Sequence, residues 1–88
     1  MTNDTFSATE PTETTAPVVL VTGASRGIGL AIVQAYAAAG WRTAGCARQP
    51  GAGLAAAAEL AVTCDVTDAT AVRTCVAGVH AHFGRLDA

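Results

Sequence analysis

Apolar blocks alternate with glycine-rich turns along most of this chain. The first block, Val18–Thr22, is continuous, rich in β-branched residues and followed by Gly23, which is typical of a strand buried on both faces of a parallel sheet. A helix is predicted to follow and to end at Gly40 in a left-handed conformation. Helical spacing predicts that its inward stripe consists of Ile28, Ile32, Ala35 and Ala39, with Tyr36 beside it.

The next block predicts a weaker strand and a short helix. Residues 41–47 alternate less clearly and form the second predicted strand. Residues 48–53 contain one proline and two glycines and are interpreted as a loop. An alanine-rich helix is predicted at about Leu54 to Leu60.

The last block predicts a third strand and a longer helix. The strand is placed at 61–64 and continues into Asp65 and Val66. Thr67 or Asp68 is the predicted cap of the final helix, since both residue types accept hydrogen bonds from first-turn amides. The helix is predicted to end at Gly84, with an inward face of Val72, Val76, Val79 and Phe83.

This order of elements defines a fold class. Three strand–helix pairs are followed by residues 86–88, which begin a fourth strand. Right-handed crossovers then predict an α/β fold: a partial Rossmann, or doubly wound, parallel sheet with strand order 3-2-1. The fourth strand of such a sheet lies beside the first, and because it is cut off, that edge of the first strand is expected to be unpaired.

The amino-terminal residues contrast with these blocks. Residues 1–16 contain Thr, Pro and three acidic residues, Asp4, Glu10 and Glu13, and no apolar block. Signal and transit peptides need positive charge instead. We therefore expect a disordered tail at 1–16 and a folded Rossmann portion at 17–88.

Charge and cysteine content narrow the function classes. The net charge is −2, and there is no run of basic residues, which argues against nucleic-acid binding. No apolar stretch approaches the length of a membrane span, so we expect a soluble protein. The three cysteines, Cys46, Cys64 and Cys75, lack metal-type spacing and are interpreted as reduced, buried thiols of a cytoplasmic protein. His80 and His82 lie two residues apart on a helix and are not expected to form a paired metal site.

The stretch VTGASRGIG, residues 21–29, carries the main chemical signal. A strand that ends at Gly23 and reopens as a helix near Gly27 directs backbone N–H groups and the positive helix end toward one point, which suits a pyrophosphate. Gly23 permits the turn, Gly27 permits close approach of the phosphate, and Gly29 permits close packing of the helix. The alternative is that the three glycines form only a tight turn.

Three segments of the chain resemble motifs of the short-chain dehydrogenase/reductase family. Residues 22–29, TGASRGIG, match its Thr-Gly-x-x-x-Gly-x-Gly signature and are most similar to the 3-oxoacyl-acyl-carrier-protein reductase branch. Residues 64–67 resemble the Asp-Val segment after the third strand, and residues 83–88 resemble the approach to the fourth strand. The resemblance covers residues 18–88.

The resemblance implies an oxidoreductase that transfers hydride between a nicotinamide dinucleotide and a carbonyl or alcohol substrate. It implies that Asp65 contacts adenine, although the carboxylate could instead cap the following helix. The complete parent protein is expected to be a homo-oligomer. The cofactor-binding residues are expected to be Gly23, Ser25, Arg26, Gly27, Ile28, Gly29, Arg48, Asp65 and Val66.

The end of the second predicted strand favours NADP(H), although NAD(H) stays possible. An acidic residue there accepts a hydrogen bond from the free 2′-hydroxyl of NAD(H), whereas a 2′-phosphate needs positive charge. Here the position is Ala47 and the next residue is Arg48. With Arg26 from the glycine loop, Arg48 is predicted to hold the phosphate.

The family's catalytic groups are missing from these residues. The family uses a tyrosine with a lysine four positions later, together with a serine and an asparagine. The chain has one tyrosine, Tyr36, the residue four positions later is Gly40, and the sequence contains no lysine. We therefore expect no catalytic residue in this chain and no catalysis by it alone. The alternative is a standalone, non-catalytic nucleotide-binding or interaction module.

Overall fold

The computed structural model describes residues 16–88, so that, except for Ala16, the predicted tail lies outside the described residues. Strands and helices alternate along the chain, as predicted. They are β1 (Val18–Thr22), α1 (Gly27–Ala38), β2 (Arg42–Ala47), α2 (Gly51–Ala57), β3 (Leu60–Thr63) and α3 (Ala69–Phe83).

The three strands form one parallel sheet with β2 between β1 and β3. In the register, Thr22 lies opposite Cys46, and Ala47 lies opposite Thr63. All three carboxyl ends therefore meet at one edge of the sheet, which is where open α/β sheets bind ligands. The predicted partial Rossmann fold is confirmed.

The last residues lie along the edge of β1 that faces away from β2. The Leu20 amide donates to the Ala88 carbonyl at 2.9 Å, and the Asp87 amide donates to the Val18 carbonyl at 3.0 Å. The Val18 amide donates to Asp87 Oδ2 at 2.8 Å. A fourth strand is predicted to begin here, but the prediction that this edge is unpaired is wrong for Val18 and Leu20.

Helix α1 turns a different face inward from the one predicted. Ile28 is 81% exposed and Ile32 39% exposed, whereas Val33 is fully buried. Tyr36 packs on the same inner side and meets Trp41 edge to face, with ring centroids 4.8 Å apart. The reason is Gly29, which sets the first turn against the glycine loop, so that the positions four and seven residues later face the sheet.

Helix α2 and strand β3 start earlier than predicted. The helix begins at Gly51 rather than at Leu54, and β3 spans Leu60–Thr63 and leaves Cys64 outside it. Leu54 is the buried anchor of the helix, and its Cδ1 atom would lie 2.5 Å from a Cβ at Gly45. The absence of a side chain at Gly45 therefore allows α2 to pack against β2.

Helix α3 covers the opposite face of the sheet. Asp68 caps it, since its Oδ1 accepts from the Thr70 and Ala71 amides at 3.0 and 3.2 Å. Gly84 ends it in the left-handed conformation, with φ at 80°. Val79 and Phe83 are buried as predicted, but Val76 is 40% exposed and Cys75 takes the inward position instead. Among the described residues, no helix is long and apolar enough to cross a membrane.

Candidate nucleotide-binding site

The loop between β1 and α1 depends on glycine at two backbone positions. Gly23 and Gly27 both have φ at 61°, in the left-handed region that side chains disfavour. Arg26, between them, is extended and forms the boundary of α1 without a side-chain cap. The first amides of α1 are therefore left without a side-chain acceptor from the N-cap residue, as in helix ends that bind anions.

Gly29 is required for a different reason, which is space. A Cβ at this position would overlap the Gly23 carbonyl oxygen and would lie 2.8 Å from the Gly23 carbonyl carbon and 3.0 Å from Ala24 Cα. All three neighbours are backbone atoms, so that none can rotate away. The loop is also tied to the sheet, because the Ala24 amide donates to the Cys46 carbonyl at 3.1 Å.

A cleft of about 900 Å³ opens at the carboxyl ends of the three strands. The glycine loop forms one wall, the residues after β2 form a second, and the residues after β3 form a third. The lining residues are Gly23, Ser25, Arg26, Ala47, Arg48, Gln49, Pro50, Gly51, Cys64, Asp65, Val66 and Thr67.

Arg26 and Arg48 give the cleft its positive charge. Both are exposed, and both line the cleft, one from the loop after β1 and the other directly after β2. The last residue of β2, Ala47, is buried at 8% exposure and carries no charge. The end of β2 thus offers no carboxylate to repel an anion.

Asp65 is the one carboxylate in the cleft lining. Its Oδ1 accepts from the Thr67 amide at 2.9 Å and from Thr67 Oγ1 at 2.7 Å. These hydrogen bonds, with a smaller contribution from the positive charge of Arg48, lower the pKa of Asp65. Asp68, and not Asp65, accepts the first amides of α3, so the capping alternative for Asp65 is wrong.

The structure brings most of the predicted site residues together. Six of the nine line the cleft: Gly23, Ser25, Arg26, Arg48, Asp65 and Val66. Gly27, Ile28 and Gly29 are not among the lining residues and form the first turn of α1, directly after the loop.

Two features of this region are not predicted from the sequence. The first is that residues 49–51 and Thr67 also line the cleft. The position of Thr67 could have been predicted, because an Asp two residues before a Thr is typical of an Asx turn. The second feature is that Cys46, Cys64 and Cys75 meet in the core, with their sulfur atoms all within 4.8 Å of one another. Their spacing along the chain carries no such signal, because they come from separate elements.

A parallel sheet with a glycine loop after its first strand, and a cleft at the carboxyl ends, defines a nucleotide-binding α/β protein of Rossmann type. The family model described as short chain dehydrogenase matches residues 17–88. The chain belongs to the short-chain dehydrogenase family.

Known proteins similar to this chain agree with that assignment. The 3-oxoacyl-[acyl-carrier-protein] reductase MabA of Mycobacterium tuberculosis is 46% identical over 71 residues, which cover 78% of this chain and 27% of MabA. A short-chain dehydrogenase from Streptomyces avermitilis superposes with a TM-score of 0.75 at 41% identity, over 84% of this chain and 29% of that one. A 3-ketoacyl-(acyl-carrier-protein) reductase from Brucella melitensis, complexed with NADH, gives a TM-score of 0.72 at 28% identity, over 81% of this chain and 31% of that one.

The chain spans only about a third of the length of these relatives. The resemblance to the oxoacyl reductase branch is confirmed by the kind of relatives found.

Proposed function

We propose that these residues form the NADP(H)-binding part of a short-chain dehydrogenase/reductase. The parent enzyme would transfer hydride between NADP(H) and a carbonyl or alcohol substrate, the hydride being supplied or accepted by the nicotinamide ring. The observation that carries the cofactor preference is that Arg26 and Arg48 line one cleft at the end of β2, where Ala47 replaces an acidic residue.

The geometry of the glycine loop supports binding of the cofactor's pyrophosphate at the start of α1. Gly23 and Gly27 hold the left-handed turns that direct the loop toward the helix end, and Gly29 allows α1 to start against the loop. An anion at this point gains from first-turn amides that no N-cap side chain accepts, and from the positive end of the helix. In our proposal, Ser25 and the first-turn amides at residues 27–29 hold the pyrophosphate.

The positions of the two arginines support binding of the 2′-phosphate of NADP(H) between them. A guanidinium group offers paired donors whose geometry matches two phosphate oxygens. Since Arg48 directly follows β2 and Arg26 projects from the loop after β1, the phosphate would be held from two sides. NAD(H) would leave both guanidinium groups without that anion, although the NADH complex of the Brucella relative shows that its fold accepts the unphosphorylated cofactor.

The side chains of Asp65 and Val66 support binding of the adenine ring beside them. The hydrogen bonds from Thr67 fix the Asp65 carboxylate and keep it ionised, since they lower its pKa. An ionised carboxylate accepts the exocyclic amino group of adenine. Val66 is 54% exposed and offers an apolar surface for the ring beside it.

We place catalysis in residues outside this sequence. Tyr36 packs against Trp41 under α1, away from the cleft, and no lysine is present to lower the pKa of a tyrosine. Without a general acid at the cofactor, this chain alone is proposed to be inactive. Oligomerisation of the parent and its cytoplasmic location belong to the same proposal.

The test is a comparison of NADPH and NADH binding to the purified chain by tryptophan fluorescence or calorimetry. We expect NADPH to bind more tightly than NADH, and Arg48→Asp to weaken NADPH binding on the order of 100-fold, because a charge-assisted hydrogen bond is lost and a repulsive carboxylate is added. Arg48→Ala should lose about 10-fold for NADPH and little for NADH. The matched control is Arg73→Ala, an exposed arginine on α3 outside the cleft. Equal affinities for the two cofactors, before and after the Arg48 substitutions, would rule out the proposed preference.

A further inference from the structure

Three thiols from three separate elements meet below the nucleotide cleft. Cys46 belongs to β2, Cys64 follows β3, and Cys75 belongs to α3. Their sulfur atoms all lie within 4.8 Å of one another, and none is in a disulfide. The side chains are 1%, 5% and 6% exposed, respectively. The proposed nucleotide contacts do not use these three residues, which we call the cysteine triad.

The spacing of the triad suits one central atom. Three sulfur ligands about 2.3 Å from a common centre, the distance found for zinc thiolates, lie about 3.5–4 Å from one another, the shorter value applying to a pyramidal centre. The cysteine side chains must therefore rotate so that sulfur atoms now within 4.8 Å of one another approach by about 1 Å.

The surroundings of the triad favour a product without net charge. The neighbouring core residues are Val18, Ala44, Val79 and Phe83. The three cysteine side chains are at most 6% exposed, so a charged complex in this apolar core would be costly.

Charge and coordination number then decide which element fits. A divalent ion on three thiolates keeps one negative charge, and a monovalent ion keeps two. Structural zinc also takes four ligands, and among the described residues the group contains three. A trivalent element bound by three thiolates is neutral and needs no fourth ligand.

We propose that Cys46, Cys64 and Cys75 form a three-thiol binding site for a trivalent thiophilic element, with arsenite as the reactant. Arsenite is the neutral molecule As(OH)₃ at pH 7. In each of three exchanges an As–O bond breaks, an As–S bond forms, and the thiol proton leaves with the hydroxide as water. Three waters are released and arsenic stays trivalent, so that the reaction needs neither an oxidant nor a reductant.

The cleft provides the route to the triad. Of the three cysteines, Cys64 lines the cleft, whereas Cys46 and Cys75 do not. A small uncharged reactant can therefore bond first to Cys64 and then to the other two sulfurs. This inference does not rest on nucleotide binding, and its failure would leave the proposed function untouched.

The test is titration of the reduced, purified chain with sodium arsenite under anaerobic conditions, followed by native mass spectrometry. We expect one arsenic per chain, with a mass gain of one arsenic atom less three hydrogens, and complete loss of the thiols that iodoacetamide can alkylate after rapid unfolding. Binding should also raise the melting temperature, because the ligand bonds to the folded arrangement. In urea the affinity should fall, since the loops between the cysteines must then be closed at an entropic cost.

A comparison of arsenite with phenylarsine oxide distinguishes binding by all three thiols from binding by any two of them. Cys75→Ala should weaken arsenite binding on the order of 100-fold by removing one of three linked attachments. The same variant should keep most of its affinity for phenylarsine oxide, which exchanges only two bonds. Cys64→Ala provides the same comparison at the cleft end of the triad. The proposal is overturned if the wild-type chain consumes fewer than three thiols per arsenic, or if its affinity is the same in urea.

Discussion

The substitution Gly29→Ala adds one methyl group to α1 and tests how closely this helix packs against the glycine loop. Gly29 and Gly78 both lie within helices, α1 and α3, but their surroundings differ. A Cβ at Gly29 would overlap the Gly23 carbonyl oxygen and crowd the Gly23 and Ala24 backbone, whereas a Cβ at Gly78 would meet no atom within 4 Å. The same substitution, Gly→Ala, should therefore change stability in opposite directions at the two sites.

The magnitudes follow from two competing contributions. Alanine is favoured over glycine within a helix by about 0.5–1 kcal/mol. Gly78→Ala should gain that amount. At Gly29 the overlap with fixed backbone costs about 1–3 kcal/mol or more, as in overpacked cores. We expect a net loss of about 1–2 kcal/mol at Gly29, after the helix gain is subtracted from the upper part of that range.

Thermal unfolding followed by circular dichroism measures both effects. One kcal/mol corresponds to about 4–8 °C in a domain of this size, so Gly29→Ala should melt lower by about 5–15 °C and Gly78→Ala higher by a few degrees. Gly29→Ala should also weaken binding of ADP, because the loop must move away from the helix end, whereas Gly78→Ala should not. If both variants were stabilised equally, the close contact between α1 and the loop would be refuted.

Three further predictions concern the rest of the domain. Asp68→Ala should lower the free energy of unfolding in urea by about 1 kcal/mol by removing the cap of α3, while Asp68→Asn should lose much less; equal losses would contradict the capping role. Phe83→Ala should cost about 3–5 kcal/mol because the ring is fully buried, and it should leave the chain largely unfolded in circular dichroism; Phe83→Leu should retain a cooperative transition. The hydrogen bond from Arg42 lowers the pKa of Glu59, so the pair stabilises the fold above the unfolded pKa of the carboxyl group and loses that contribution as pH falls through the folded value. Wild type should accordingly lose more stability than Glu59→Gln between about pH 5 and about pH 3, and parallel pH profiles would show that this pair contributes nothing.

The order of elements could be predicted from the sequence because it rests on local signals. The continuous β-branched run at Val18–Thr22, the cap at Asp68 and the glycine at 84 each specify a local conformation. Strand pairing and the position of the carboxyl-end cleft then follow from the handedness of the crossovers.

The inward faces of the helices were harder to predict. In an alanine-rich helix such as α1, several stripes have similar hydrophobicity, so that spacing does not select one. The choice depends on the contact between Gly29 and the loop, which is tertiary. On α3 the inward face also depends on tertiary packing, which places Cys75 rather than Val76 in the core.

The candidate site was predicted more completely than the core. The glycine loop and Arg48 follow strands directly, Asp65 lies two residues after β3, and strand ends in a parallel sheet converge. The cysteine triad could not be predicted, because it depends on how α3 is rotated against β2 and β3.

Nuclear magnetic resonance of the ¹⁵N-labelled chain, titrated with 2′,5′-ADP and with 5′-AMP, tests the central claim most directly. These two ligands share adenosine and a 5′-phosphate and differ only by the 2′-phosphate. 5′-ADP, which carries its second phosphate at the 5′ position, is included as a control for the number of phosphates. We predict that 2′,5′-ADP shifts the amides that line the cleft, above all Gly23, Ser25 and Asp65, and that it alone shifts the side-chain N–H groups of Arg26 and Arg48. Identical arginine shifts with all three ligands would contradict the proposed phosphate site. Shifts confined to the outer face of α3 would contradict the assignment of the cleft itself.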